Sequence, residues 1–256
     1  MMDFEVKYGL CVCLLSAVFF KFVKTVLVYV GPPKSMLKDV QIWNNISVSC
    51  IHAFICSVGV ICSFVLYPDE FKDLSLQGNT FIYLTVCMSV GYFIYDTLDI
   101  LLQKNKSSLF VMLSHHAVVI GLFSHNILLK LCLPYTIVGL LAEVNSVFLH
   151  LRKLLQMANM WTSREYAFIV MLNLFTFVVF RGWAIWWSGY TVLFDLYGKV
   201  PLPSYVFVCL TTVAIDLVNI KFFWKILKND YLKKPTIVRS ELLNGVCIDV
   251  TREKIQ

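Results

Sequence analysis

The residues best suited to chemistry in this chain stand where chemistry is costly. His52, Asp96, Asp99, His115, His116, Glu143, Arg181 and Asp216, with Asn145 alongside, all fall inside long apolar runs. Ionisable groups within a bilayer are expensive and by default mark function. Asp96 and Asp99 are three residues apart and share one helical face. His115 and His116 are adjacent, about 100° apart around a helix, so at most one faces a pocket squarely. A histidine beside a carboxylate suits general-base work: the ring takes a proton and the carboxylate fixes its tautomer. His115, His116, Glu143 and Asp96 are therefore the catalytic candidates. His52, Asp99, Asn145, Arg181 and Asp216 are the candidate pocket residues. Each also has a packing role to set beside this one. Asp99 lies close to the interface, and Arg181 reads as half of a buried ion pair with Asp216 or Glu143. Five histidines are too few for the clustered sites of di-iron lipid enzymes. Walker, Rossmann, Gly-x-Ser-x-Gly and His-Glu-x-x-His patterns are absent, so no metal or bound cofactor is expected.

The elements that must position these residues follow from composition. Of 256 residues, 59% are hydrophobic and 15% charged. Soluble domains are nearer ~45–50% apolar and ~25% charged. The chain is predicted to be an all-α membrane protein, a bundle of about seven transmembrane helices of ~20 residues each. The runs are 8–30, 43–66, 80–102, 109–129, 131–151, 166–190 and 204–227. Pro134 sits in the first turn of the fifth, where its missing N–H costs least. Only Asn126 to Lys130 can turn the chain between the fourth and fifth. Lys21 and Lys24, toward one end of the first span, are expected to snorkel. The nine cysteines include no Cys-x-x-Cys and read as small lipid- or core-facing residues. The acidic front, Asp3 and Glu5, and the lack of a small-x-small site argue against a cleavable signal peptide.

Charge sets the expected orientation. With the N-terminus outside, 17 of the 22 Lys and Arg fall on the inner side, four on the outer, and Arg181 within a span. The net charge of +6 is thus a topology signal, N-terminus out and C-terminus cytosolic, with no nucleic-acid partner implied. At ~1.5 Å per residue, the polar groups of spans two, three, four, five and seven lie about 5–16 Å from the inner ends. Only Arg181 is deeper. This predicts a polar pocket facing the cytosol or inner leaflet, walled by spans two to seven. Both sequons, Asn45-Ile46-Ser47 and Asn105-Lys106-Ser107, fall on the inner side and are expected to carry no glycan.

Three segments together resemble the TLC-domain family, which includes ceramide synthases and translocation-associated membrane proteins. They are Gly91-Tyr92-Phe93-Ile94-Tyr95-Asp96-Thr97-Leu98-Asp99, Ser114-His115-His116, and Leu141-Ala142-Glu143-Val144-Asn145. The fuller run from Glu143 to Arg152 is most similar to the membrane-fluidity branch. The resemblance implies a barrel-like helical bundle over residues 40–232, preceded by a first helix and loop (1–39) and followed by a flexible cytosolic tail (233–256). In ceramide synthases the pattern is a double His, then a His-Asp pair and another Asp. Here the double His matches His115-His116, the pair falls on Ala142-Glu143, and the last Asp on Ser146.

The resemblance therefore implies a regulator of phospholipid composition and fluidity that limits polyunsaturated acyl chains in membrane phospholipids. Its partners would be those phospholipids or their acyl chains, at the plasma membrane, with the endoplasmic reticulum as the alternative. A second reading is a lipid acyltransferase using the His pair, with acyl-CoA as substrate. A seven-helix receptor is disfavoured: span three ends in Leu101-Leu102-Gln103-Lys104, and span seven lacks Asn-Pro-x-x-Tyr.

Overall fold

The structure, a computed structural model, describes residues 4–102 and 109–228. Lys104, Lys106, the sequon at Asn105 and the tail 233–256 lie outside the described residues. Within them every regular element is helical. Seven spans are long and apolar enough to cross a membrane, as the hydropathy predicts. They are α1 (Phe4–Val30), α2 (Val40–Leu66), α3 (Thr80–Leu101), α4 (Leu109–Leu129), the pair α5 (Leu133–Leu140) and α6 (Ala142–Met157), the series α7 (Arg164–Thr176) and α8 (Gly182–Tyr190), and α9 (Leu202–Leu227).

Local chemistry sets the ends. The Asn79 side chain accepts from the Ile82 N–H at 3.0 Å and caps α3. Ser163 does the same for α7 through Tyr166. Such caps satisfy donors that helix geometry leaves unpaired. Pro134 occupies the first turn of α5 as expected. The preceding turn differs from the expectation: α4 runs through Asn126 to Leu129, and Lys130 and Cys132 reverse the chain in left-handed conformation. Asn126 is fully buried and donates to the Cys132 carbonyl and the Thr136 hydroxyl. Its short amide thus staples the turn from inside the helix.

The third span sits at the centre. Of its apolar window 67% is buried, against 17% for α1. Lipid tails are as apolar as the helices, so close approach and interhelical bonds hold such bundles. Gly91 provides the approach for α1. A β-carbon there would stand 2.1 Å from the Cys13 carbonyl oxygen and 2.7 Å from Ser16 Cβ. Ser16 then donates to the Met88 carbonyl at 2.6 Å. Below it Phe20, fully buried, meets Tyr92 and His52 edge-on at 5.0 and 5.6 Å.

Spans five and six are not regular. Span five is interrupted at Leu141, between α5 and α6. Span six contains two π-helical stretches, Phe177–Arg181 and Thr191–Asp195. Wider π turns inside α-helices are frequent at functional sites, and here the first of them carries Arg181.

Candidate functional site

Two polar clusters share the interior, and they divide the double histidine between them. The first lies between α1, α2, α3 and α4. Asn45 donates from one amide to both Asp96 (2.7 Å) and Asp99 (3.2 Å). Lys24 pairs with Asp99. The His116 Nε2 faces Asp96 at 3.6 Å, and its Nδ1 meets the Thr97 hydroxyl at 3.3 Å. The expectation that Lys24 snorkels away is corrected: the ammonium finds an opposite charge 75 positions along the chain, which compensates its desolvation better than a stretched side chain would.

The second cluster surrounds a cavity of about 70 Å³ between α3, α4, α5, α6, α8 and α9. That is room for several water molecules. Its polar lining includes His115, Glu143, Arg181, Asp216 and Asn219. Val119, Leu122, Phe123 and Leu140 supply an apolar wall, and Tyr135, Thr136 and Ser188 extend the lining further along the bundle. The adjacent ring, His116, packs instead in the α3–α4 seam. His115 stays at the cavity, and its Nδ1 is buried with no hydrogen-bond partner among the described residues.

Arg181 departs from the expected ion pair. Among the described residues no carboxylate lies within pairing distance of it. Its guanidinium donates to Asn219 Oδ1 at 2.7 Å and Ser146 Oγ at 2.8 Å, and lies 5.5 Å from the centre of the Phe177 ring. At Ser146, where the resemblance to ceramide synthases would set the last Asp, a hydroxyl accepts from the arginine. Arg181 Nε stays buried without a partner. A guanidinium has five N–H donors in a fixed fork, so Arg181 brings to the cavity wall a positive charge with one donor unfilled.

His52 links the clusters. Its ring stacks on Tyr92 at 3.6 Å with 8° between planes, and its Nδ1 stands 3.9 Å from Glu143. Asn145 takes a structural place instead, donating to the Asn173 carbonyl (2.8 Å) and the Thr176 hydroxyl (3.1 Å), which locks α6 to α7.

Sequence reasoning passed over Lys24, Asn45, Asn173 and Asn219. Asn45 entered only as a sequon. It is 6% exposed and both its bonds point inward, an environment with no room for a glycan. Neutral amides raise no charge alarm in an apolar run, although their burial requires partners just as a charge does.

A bundle of seven spans with ionisable groups around an interior cavity is the architecture of a multi-pass membrane protein with a polar site inside the bundle. The chain matches the TLC domain over residues 42–228 and belongs to the TLC-domain family. It is 36% identical over 220 residues to TLC domain-containing protein 2 of Danio rerio, covering 85% of this chain and 88% of that one. The human TLC domain-containing protein 2 is 30% identical over 205 residues, covering 78% and 76%. TLC domain-containing protein 1 of Mus musculus is 28% identical over 191 residues, covering 74% and 75%. The first helix, α1, precedes the matched domain yet supplies Lys24 to its interior.

Proposed function

We propose that this protein regulates the acyl composition of membrane phospholipids, limiting polyunsaturated chains and so setting fluidity. We place it at the plasma membrane with its N-terminus outside. The observation that carries the reading is the mixed lining of the interior cavity. Apolar Val119, Leu122 and Phe123 suit a short hydrocarbon segment, which is what a cavity of about 70 Å³ admits, while His115, Glu143 and Arg181 suit its ester end. Binding sites of this kind pair an apolar body with a few placed polar groups. Membrane phospholipids or their acyl chains are the ligands of this reading, and no metal or bound cofactor enters it.

A second reading, acyl transfer from acyl-CoA, is favoured by the unpartnered Nδ1 of His115, a residue that lines the cavity with Glu143 and Arg181. A ring nitrogen would take the proton of an acceptor hydroxyl or amine as it attacks the thioester carbonyl. Coenzyme A would leave as the thiolate and be reprotonated. Arg181 N–H groups would stabilise the oxyanion.

The test is lipidomics of cells lacking the protein and re-expressing wild type or His115→Ala at matched abundance. The expected result is that wild type lowers the polyunsaturated fraction and His115→Ala does not. Identical profiles from the two would remove the cavity as the working site. Purified wild-type protein that consumes acyl-CoA, with a loss of about 10²–10⁴ in His115→Ala, would favour the enzyme.

A further inference from the structure

The end of the bundle opposite the aspartate cluster holds a second cavity, of about 200 Å³. It is built from the loop after α2 and the end of span six. Four charged side chains line it: Lys72, Asp73, Asp195 and Lys199. Two are cations and two are anions, and they come from segments more than a hundred residues apart. Trp187 forms part of the wall.

Thr191 also lines it. Threonines elsewhere in these helices turn their hydroxyls back onto the carbonyl four residues earlier, as Thr85, Thr97, Thr136, Thr176 and Thr212 do. That local bond is the usual way to satisfy a hydroxyl inside a helix. Thr191 does not make it. The residue is 1% exposed and its Oγ1 has no partner among the described residues. It opens the π turn in which the Leu196 N–H reaches back five residues to the Thr191 carbonyl at 2.9 Å. A buried hydroxyl without a partner costs about 1–3 kcal/mol, and the residue that carries this one lines the cavity.

The charges above it are arranged to leave capacity. Asp73 Oδ1 accepts from the Ser75 hydroxyl (2.7 Å) and N–H (3.1 Å), and Lys199 stands 3.2 Å away. Asp73 thus holds Lys199 at the mouth, with ammonium protons to spare. Lys72 is held on the rim by Asp69 at 2.6 Å. Asp195 is exposed and makes no ion pair among the described residues. A purely anionic ligand would meet two carboxylates, and a purely cationic one two ammonium groups. A ligand carrying both charges finds a complement for each.

We propose that this cavity binds the headgroup of a zwitterionic phospholipid, a phosphodiester bearing an ammonium group. The phosphate sits against Lys199 and the Thr191 hydroxyl, and the ammonium lies between Asp195 and the face of Trp187. A cation over an indole face is favourable. A lipid is preferred to a soluble phosphodiester because the flanking side chains Leu193 and Phe194, both 69% exposed, offer acyl chains an apolar path beside the mouth. The site is independent of the His115 cavity, and its failure would leave that reading untouched.

The experiment is a native mass spectrometry titration of the full-length protein in a nonionic detergent. The probes are dihexanoyl phosphatidylcholine, dihexanoyl phosphatidylglycerol and glycerophosphocholine. Phosphatidylcholine is expected to bind more tightly than phosphatidylglycerol. Thr191→Val should weaken it about tenfold, the loss of one hydrogen bond to a charged group, and Thr191→Ser should restore it. Asp195→Asn, on the surface, should weaken phosphatidylcholine while leaving phosphatidylglycerol unchanged or improved. Equal affinity for the two lipids, or Thr191→Val and Asp195→Asn both binding as wild type, would overturn the proposal. Glycerophosphocholine binding as tightly as the lipid would overturn the membrane origin of the ligand.

Discussion

Lys24 of α1 pairs with Asp99 of α3, and the pair fastens a helix lying outside the TLC domain to the polar interior of that domain. Asp99 also accepts from Asn45, which holds Asp96, which faces His116. The first helix is thereby wired to the α3–α4 seam. Removing one partner of a buried pair leaves the other charge desolvated. Lys24→Met should cost up to about 3–5 kcal/mol. Adding Asp99→Asn should recover much of it, read as thermal unfolding in detergent. A single Lys24→Met that melts as wild type would show that the pair carries no stability.

The two histidines should separate by readout. His116 sits in a helix seam, so His116→Ala should lower abundance in proportion to function, a packing loss of about 0.6–2 kcal/mol. Asp96→Asn should behave alike. His115 lines the cavity, so His115→Ala should alter the phospholipid acyl profile while abundance holds. Blots and lipid profiles from the same cells decide it. The reverse pattern would put the working imidazole on the other face of α4.

Gly91 should tolerate no side chain. The atom a β-carbon would strike is a backbone oxygen, so no rotamer change relieves it. Gly91→Ala should destabilise by about 1–3 kcal/mol as α1 is pushed off α3. Gly121→Ala is the control. Its β-carbon would meet only the tip of the Phe207 ring, at 3.8 Å, and the variant should melt within a degree or two of wild type.

A pH effect is expected at the loop after α2. The Ser75 hydroxyl, with its N–H and the Lys199 ammonium, holds the Asp73 carboxyl below its ordinary value. A lowered carboxylate adds stability that is full above its unfolded pKa, about 3.9, and is lost as pH falls through the lower folded value. Hydrogen exchange of residues 67–79, corrected for intrinsic rates, should therefore show protection at pH 5 that fades only below about pH 4. Asp73→Asn should give weaker protection with no such fade. Loss beginning near pH 6 would assign control to another group.

Much of the scaffold was legible before any coordinates. Apolar runs mark the seven spans, because a bilayer demands some 20 apolar residues from each. The charged exceptions within those runs mark the interior. Which of His115 and His116 meets the cavity was not legible. Their separation around α4 is a local property, but the phase of α4 against α3 depends on contacts such as Phe93 against His116. The pairing of Lys24 with Asp99 was hidden for a similar reason: each reads as an interfacial residue until α1 is laid on Gly91. Asn219 and Asn45 were missed because an amide carries no charge and cannot act as an acid or base, so nothing in an apolar run marks it as chemical, whatever it binds.

The π turn at Phe177–Arg181 fits one more residue into span six than a regular helix would. That residue sets an angular offset between the half that carries Asn173 and Thr176 and the half that carries Trp187 and Thr191. Deleting one residue from Val178-Val179 would restore the ordinary period and swing everything beyond it by about 100°. Trp187 and Thr191 would then leave their cavity while Asn173 kept its grip on Asn145. The grip of span six on Asn145 and the cavity at the far end of the bundle are thus indexed to each other by a single extra residue, like two hands set on one shaft.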